Sequence, residues 1–182
     1  MRRFLAVFLL TLCPPLSSHA QAPPAAAKPS PWDALRFLEG TWAGESAGEP
    51  GSGTVERTFA FTLGGRFLEI RNASVYAPQE RNPKGERHED RGLLSYDRGR
   101  RRFVLRQFHV EGFVNQYVAD SLATGADSLV FRSESIENIP PGFRARETWR
   151  FVSPTEFEEH FEMAEPGRDF ATYSRAKLTK RR

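Results

Sequence analysis

From Gly40 onward, apolar residues alternate with polar ones in short segments, and this alternation constrains the fold more than any other feature of the chain. A period of two is typical of β-strands with one buried face, whereas a helix repeats every 3.6 residues. Turn sequences such as Leu63-Gly64-Gly65 and Glu165-Pro166-Gly167 separate the segments. The pattern predicts ten strands, over residues 41–46, 53–62, 66–76, 91–96, 102–110, 113–122, 128–135, 144–152, 156–164 and 170–180.

The links between these predicted strands are mostly short, which favours antiparallel neighbours in chain order. Closing such an up-and-down sheet removes its exposed edges, so the sequence predicts an all-β, ten-stranded antiparallel barrel. A two-sheet sandwich is the alternative, since the longer segments 77–90 and 136–143 could carry its crossovers. Before the first strand, Ser30 as a cap and Pro31 at the first helical position predict one or two helical turns.

The N-terminal segment has the pattern of a secretory signal peptide. A basic start and a short apolar run precede the small-residue sites Ser18-His19-Ala20 and Ala20-Gln21-Ala22. The run is too short for a retained membrane span, and Leu12 fits poorly before Cys13 if that residue were a lipid-bearing cysteine. We therefore expect a signal peptide at 1–22, a disordered Pro/Ala-rich linker at 23–31, one domain at 32–182, and a periplasmic or extracellular location.

Charge and motifs exclude several classes of function. Loss of Arg2 and Arg3 with the signal peptide lowers the formal charge from +3 to +1, which gives no electrostatic basis for binding nucleic acid. Cys13 is the only cysteine and would leave with the same segment, so disulfides and thiol catalysis are not expected. The chain also lacks a P-loop, a dinucleotide fingerprint and a G-x-S-x-G nucleophile elbow.

Four collinear blocks carry a resemblance to a known family. They are Gly40-Thr41-Trp42, the segment 63–68, the segment 92–97, and the stretch from 161 to 180. Together they resemble a bacterial family of unknown function with a lipocalin-like, calycin-type barrel, over residues 35–180. The resemblance implies that Trp42 and Arg175 pack together as a structural closure of the barrel, with the cation over the indole.

More distantly, the chain is similar to the nitrobindin-type haem-binding barrels, in which a histidine on the last strand ligates iron. The corresponding position here falls on or near Tyr173. Because a phenolate can hold ferric haem, this similarity keeps Tyr173 as a candidate axial ligand.

Strand parity predicts which side chains face the barrel interior, since every second residue points inward. The apolar residues of three strands share their parity with glutamates, a glutamine and a histidine, and buried polar groups need a partner or a ligand. The candidate ligand-binding residues are Gln107, His109, Glu147, Trp149, Glu159 and Tyr173.

Two simpler interpretations remain open for these polar residues. The glutamates could pair with Arg106 or Arg71 if the parity is wrong by one residue, because such a slip reverses every side chain. His88-Glu89-Asp90 is interpreted as a solvated loop and His160 as solvent-facing, and no histidine pair shows metal-ligand spacing.

We therefore expect an exported barrel that binds a small hydrophobic or amphipathic molecule, with no cofactor, no metal and no catalytic residues. One alternative is a haem barrel acting on nitrogen oxides or peroxides, with Tyr173 or His109 as the axial ligand. The other is an envelope scaffold whose partners contact the charged segment 77–90. The sequence leaves the ligand and the oligomeric state open.

Overall fold

A computed structural model of the protein describes residues 30–80, 82–120 and 127–182. No helix in these ranges is long and apolar enough to cross a membrane. A short 3₁₀ helix, Asp33–Leu38, precedes the strands. The strands are β1 (Gly40–Gly48), β2 (Gly51–Thr62), β3 (Phe67–Tyr76), β4 (Glu86–Asp97), β5 (Arg102–His109), β6 (Val114–Ala119), β7 (Ser128–Glu137), β8 (Arg144–Ser153), β9 (Glu156–Ala164) and β10 (Ala171–Lys180).

The ten strands form one closed antiparallel barrel. Each strand pairs with the next in chain order, and β10 closes the barrel by pairing with β1, from Trp42↔Lys180 to Gly48↔Ser174. The predicted all-β barrel with a short N-terminal helix is confirmed, and the sandwich alternative is wrong.

The largest difference from the predicted strands concerns β4. It begins at Glu86, opposite Tyr76 of β3, so the segment 86–90 is strand and not loop. The interpretation of His88-Glu89-Asp90 as a solvated loop is therefore wrong. The predicted sixth strand extended to residue 122, and its last two residues lie outside the described residues. The predicted signal peptide and the linker up to residue 29 also lie outside them.

The seam between β1 and β10 depends on two glycines. A Cβ at Gly44 would lie 1.7 Å from the carbonyl oxygen of Lys177, and one at Gly48 would lie 2.1 Å from that of Tyr173. Any larger residue would push the two backbones apart, so these glycines allow the close approach that completes the barrel.

The 3₁₀ helix covers one end of the barrel. Leu35 and Leu38 of the helix are fully buried, and the indole Nε1 of Trp42 donates a 2.7 Å hydrogen bond to the carbonyl oxygen of Leu38. Edge-to-face aromatic contacts fill the interior at this end, for example between Trp42 and Phe157 at 5.1 Å. The other end contains most of the buried polar side chains.

The expected contact between Trp42 and Arg175 does not form. Trp42 lies opposite Lys180 in the β1–β10 register, and the Lys180 ammonium lies 5.6 Å from the indole centroid. Arg175 is five residues away, an odd offset that places it on the outer face of β10, where it is exposed. The cation at the closed end is therefore Lys180, which also donates a 2.7 Å hydrogen bond to the carbonyl oxygen of Phe37.

Candidate functional site

A cavity of about 500 Å³ occupies the barrel interior between the aromatic core and the uncovered end. Its apolar wall includes Val55, Ile136 and Phe161. Its deepest part is polar, and we call these eight side chains the floor: Arg57, Asn72, Asp90, Gln107, Asn115, Tyr117, Glu147 and Glu159.

A larger depression of about 920 Å³ is lined by residues of β1, β2, β3, β8, β9 and β10. Exposed charges on its wall pair with each other, as Arg150 does with Glu158 at 2.6 Å. Such pairs are typical of a solvated surface. We place the candidate site in the interior, where polar groups are buried and require partners.

One side of the floor is an Arg–Glu cluster. The Arg57 guanidinium on β2 forms an ion pair with Glu159 on β9, and its Nη1 lies 4.0 Å from Glu147 Oε1. The indole Nε1 of Trp149 donates a hydrogen bond to the same Glu147 oxygen. Burial opposes the charge on Arg57, but its acidic neighbours outweigh that effect and raise the Arg57 pKa.

Burial raises the pKa of Glu147 well above its usual range, and the neighbouring Glu159 carboxylate adds to the effect. Arg57 acts in the opposite direction without reversing it. The cluster therefore favours one guanidinium, one carboxylate and one protonated carboxyl group, with the proton on Glu147.

A chain of hydrogen bonds continues from this cluster across β3, β4 and β5. Arg57 Nε donates to Asn72 Oδ1 at 3.1 Å, and Asn72 Nδ2 donates to Asp90 Oδ2 at 2.9 Å. Gln107 Nε2 donates to the other Asp90 oxygen at 2.9 Å. Burial alone would raise the pKa of Asp90, but hydrogen bonds and nearby cations, His88 first, hold it below its usual value.

At the uncovered end, three side chains form what we call the mouth cluster: His88 on β4, His109 at the end of β5, and Glu111 in the following turn. His88 Nδ1 lies 2.8 Å from Glu111 Oε1, and His88 Nε2 lies 3.4 Å from Asp90 Oδ2. The hydrogen bond to Asp90 is the main cause that raises the pKa of His88 to about 9.

The pKa of His109 is shifted in the opposite direction from that of His88. Burial lowers its pKa to about 4, so its ring is neutral at physiological pH. The ring stacks on Phe113 with centroids 4.0 Å apart. Its Nδ1 lies 3.3 Å from His88 Nε2, and its Nε2 lies 3.1 Å from Asn115 Nδ2.

Asn115 has an incompletely satisfied amide. The residue is 2% exposed, and its Nδ2 donates a 2.8 Å hydrogen bond to the hydroxyl of Tyr117. Its Oδ1 is buried and has no hydrogen-bond partner among the described residues. A buried acceptor without a partner costs free energy, so this amide is an incompletely satisfied group next to the cavity.

The structure brings most of the predicted site residues into one cavity. Gln107, His109, Glu147, Glu159 and Tyr173 all line it. Trp149 is fully buried beneath Glu147 and does not reach the cavity surface.

The two suggested pairings of the glutamates do not form. Arg71 contacts Glu69 on the outer surface and Arg106 is exposed, so Arg57 is the partner that the sequence interpretation missed. The signal for Arg57 was present, since it shares the parity of Val55 and Phe59 on β2. His160 lies outside the cavity, where its Nε2 contacts the Thr172 hydroxyl at 2.8 Å.

Tyr173 reaches the cavity through a β-bulge. The β9–β10 register shifts between Thr172 and Ser174, so Tyr173 is the extra residue and both it and Ser174 line the interior. Burial raises the pKa of Tyr173, with nearby carboxylates such as Glu86 adding to the effect. This environment opposes the phenolate that haem ligation by Tyr173 would need.

No protein-family model and no curated protein sequence matches the chain. Among solved structures, the crystal structure of Rv2717c from M. tuberculosis is similar, with a TM-score of 0.65 and 22% identity over 84% of this chain and 99% of that chain. A redesigned β-barrel matches with a TM-score of 0.41 and 11% identity, covering 80% of this chain and 93% of the design. The first similarity supports the barrel fold alone.

Proposed function

We propose that the barrel binds one small amphipathic molecule, with its apolar part against the cavity wall and its polar group at the floor. The observation that carries the proposal is the cavity of about 500 Å³, with an apolar wall and a buried polar floor. Ligand sites typically combine apolar lining with a few placed polar groups. The size suits a ligand with an alkyl chain of moderate length or one or two rings.

The charges of the lining favour a ligand whose polar group is a hydrogen-bond donor. Among the described lining residues, carboxylates outnumber cations. The carboxylates are Glu86, Asp90, Glu111 and Glu159, and the cations are Arg57 and His88. Arg57 is already engaged by Glu159, so no free guanidinium among the described lining residues is available for an acidic ligand. An alcohol, amide or amine fits this lining better than a carboxylic acid.

The test uses three probes of equal chain length, decylamine, 1-decanol and decanoate, titrated into the purified protein by calorimetry. We expect the amine and the alcohol to bind at one per barrel, and decanoate to bind at least about tenfold more weakly, a difference of about 1.4 kcal/mol. Absence of binding by all three probes, or tightest binding by decanoate, would contradict the proposal.

A cavity-filling variant provides a matched control. Ala145→Trp introduces an indole into the cavity wall and is expected to abolish probe binding, whereas Val75→Trp places the same group on the outer face of β3. Native mass spectrometry of protein isolated from its own cells extends the test. A reproducible single adduct, absent from Ala145→Trp and present in Val75→Trp, is the expected result.

Haem binding has less support. The last strand has no histidine, and burial disfavours the Tyr173 phenolate. Hemin titration decides the matter directly. A Soret shift that disappears in Tyr173→Phe or His109→Ala would establish haem as the ligand in place of the proposed one.

Export is the second part of the proposal and depends on the N-terminal sequence pattern. Fractionation of cells that express the full chain, followed by N-terminal sequencing, provides its test. We expect a processed protein beginning near residue 21 or 23 outside the cytoplasm. An unprocessed chain in the cytoplasm would overturn this part without affecting the ligand experiments.

A further inference from the structure

The mouth cluster brings three potential metal ligands together. Ligand atoms of His88, His109 and Glu111 all lie within 4.8 Å of one another, and the two imidazole rings approach to 3.3 Å between His88 Nε2 and His109 Nδ1. One cation can therefore contact a ligand atom of each residue. Two imidazoles and one carboxylate are a ligand set used by zinc and by non-haem iron in proteins.

We propose that His88, His109 and Glu111 bind one divalent first-row transition-metal ion at the mouth of the barrel. The three residues are separated in sequence by 21 and 2 positions, and the β4–β5 pairing brings them together. Backbone hydrogen bonds fix the turn that carries Glu111, with Val110 N donating to Glu89 O at 2.9 Å and Gly112 N to His109 O at 2.8 Å. The proposal does not depend on the organic ligand proposed above.

The side chains next to His88 Nε2 resemble the usual surroundings of a metal-bound histidine. When His88 binds a metal through Nδ1, on the side of Glu111, its Nε2–H points to Asp90. Asp90 is only 5% exposed, and Asn72 and Gln107 hold it in place with two 2.9 Å hydrogen bonds. A carboxylate that accepts the second N–H of a ligating imidazole fixes the ring and strengthens metal binding.

Asn115 provides a second, independent indication beside His109. Its buried amide lies 3.1 Å from His109 Nε2, and its oxygen has no partner among the described residues. Rotation of the amide by 180° from the orientation described above would present Oδ1 to His109 Nε2–H, the proton arrangement required when Nδ1 binds a metal. The rotation would also move Nδ2 to the position that Oδ1 now occupies. The Phe113 ring, stacked at 4.0 Å, holds the imidazole plane in place.

Three protein ligands leave at least one coordination position open, as in catalytic rather than structural zinc sites. Both histidines and Glu111 line the cavity, so the open position adjoins the space proposed for the organic molecule. A donor atom entering the cavity could complete the coordination.

The test is metal binding by the purified full chain after removal of metal with EDTA and dialysis. Zn²⁺ is titrated in competition with a chromophoric chelator, and Co²⁺ absorption in the visible range reports the ligand environment. We expect one Zn²⁺ per chain, about tenfold weaker binding in Glu111→Gln, and about hundredfold weaker binding in His88→Gln and His109→Gln. His160→Gln, which changes a histidine outside the cavity, is the matched control and should bind like the unmodified protein.

Circular dichroism of each variant separates loss of the site from loss of the fold. The Glu111 side chain is 45% exposed in a turn, so we expect Glu111→Gln to fold. If a histidine variant does not fold, the metal affinity of Glu111→Gln tests the proposal. Absence of stoichiometric Zn²⁺ binding would overturn the proposal. Binding that is unchanged in folded Glu111→Gln, or that is lost in His160→Gln, would also overturn it.

Discussion

Arg57 on β2 and Glu159 on β9 form an ion pair inside the barrel, although 102 positions separate them in the chain. Both side chains are nearly inaccessible to solvent. Breaking a buried pair by removing one partner is costly because the other charge stays uncompensated. Substitution of either residue should therefore destabilise the fold strongly.

Arg57→Met should destabilise the fold by about 3–5 kcal/mol at pH 8, because Glu159 loses its cation. Urea unfolding at this pH measures the effect. Arg71→Met, which removes an exposed pair with Glu69, should cost at most about 1 kcal/mol and serves as the control. Equal losses in the two variants would show that burial of the pair has no energetic consequence.

Glu147→Gln should stabilise the protein increasingly as pH rises. The pKa of Glu147 is raised in the folded state, so the folded protein holds a proton that the unfolded chain releases above its ordinary pKa. Wild-type stability from this group is complete below the unfolded pKa and declines as pH rises toward the folded pKa. Glutamine keeps an acceptor for the Trp149 indole without titrating, so the difference from wild type should be near zero at pH 4 and positive at pH 8.

Thermal unfolding across this pH range provides the measurement for Glu147→Gln. Glu45→Gln, on the exposed face of β1, is the control for the loss of a carboxyl group. A Glu147→Gln difference that does not change with pH would mean that folding leaves the pKa of this carboxyl group unchanged.

The two mouth histidines should titrate far apart in metal-free protein. Asp90 raises the His88 pKa to about 9, whereas burial lowers that of His109 to about 4. Because the His88 pKa lies above its unfolded value of about 6.5, its stabilising contribution is complete below pH 6.5 and disappears as pH rises through 9. NMR titration of the ring carbons in EDTA, assigned with His88→Gln and His109→Gln, checks both values. Two histidines titrating near 6.5 would contradict the described geometry.

Lys180 should contribute more to stability than Arg175. Lys180→Met removes a cation over the Trp42 indole and a hydrogen bond to Phe37, so we expect a loss of about 0.5–2 kcal/mol. Arg175→Met changes an exposed side chain and should alter stability by less than about 0.5 kcal/mol. Chemical unfolding of both variants tests whether the contact of Trp42 with Lys180, and not the expected contact with Arg175, stabilises the barrel.

The barrel was predictable from the sequence because its strands alternate cleanly wherever the inner face is apolar. That signal fails at the start of β4, where the inward residues His88 and Asp90 are as polar as their outward neighbours. A strand that crosses a polar cavity has no hydrophobic period, so this segment has the composition of a loop. The interior positions of His88 and Asp90 were missed for this physical reason.

The candidate site was predictable in part. Parity on β5, β8 and β9 placed Gln107, Glu147 and Glu159 inside, and those side chains line the cavity. The contact of Glu159 with Arg57 depends on how the barrel closes, which local patterns do not specify. The position of Tyr173 depends on a bulge that adds one residue to β10 and has no local sequence signal that we recognise.

Among the described residues, the helix covers one end of the barrel, and His88, Glu111 and Tyr173 line the interior cavity at the other end. A molecule that enters and leaves by that end passes the same side chains in both directions. The rate of exchange is then set by these side chains at the opening, and the equilibrium affinity by the groups at the base. Substitutions at the opening should therefore change the residence time of a bound molecule, whereas substitutions at the floor should change which molecule is preferred.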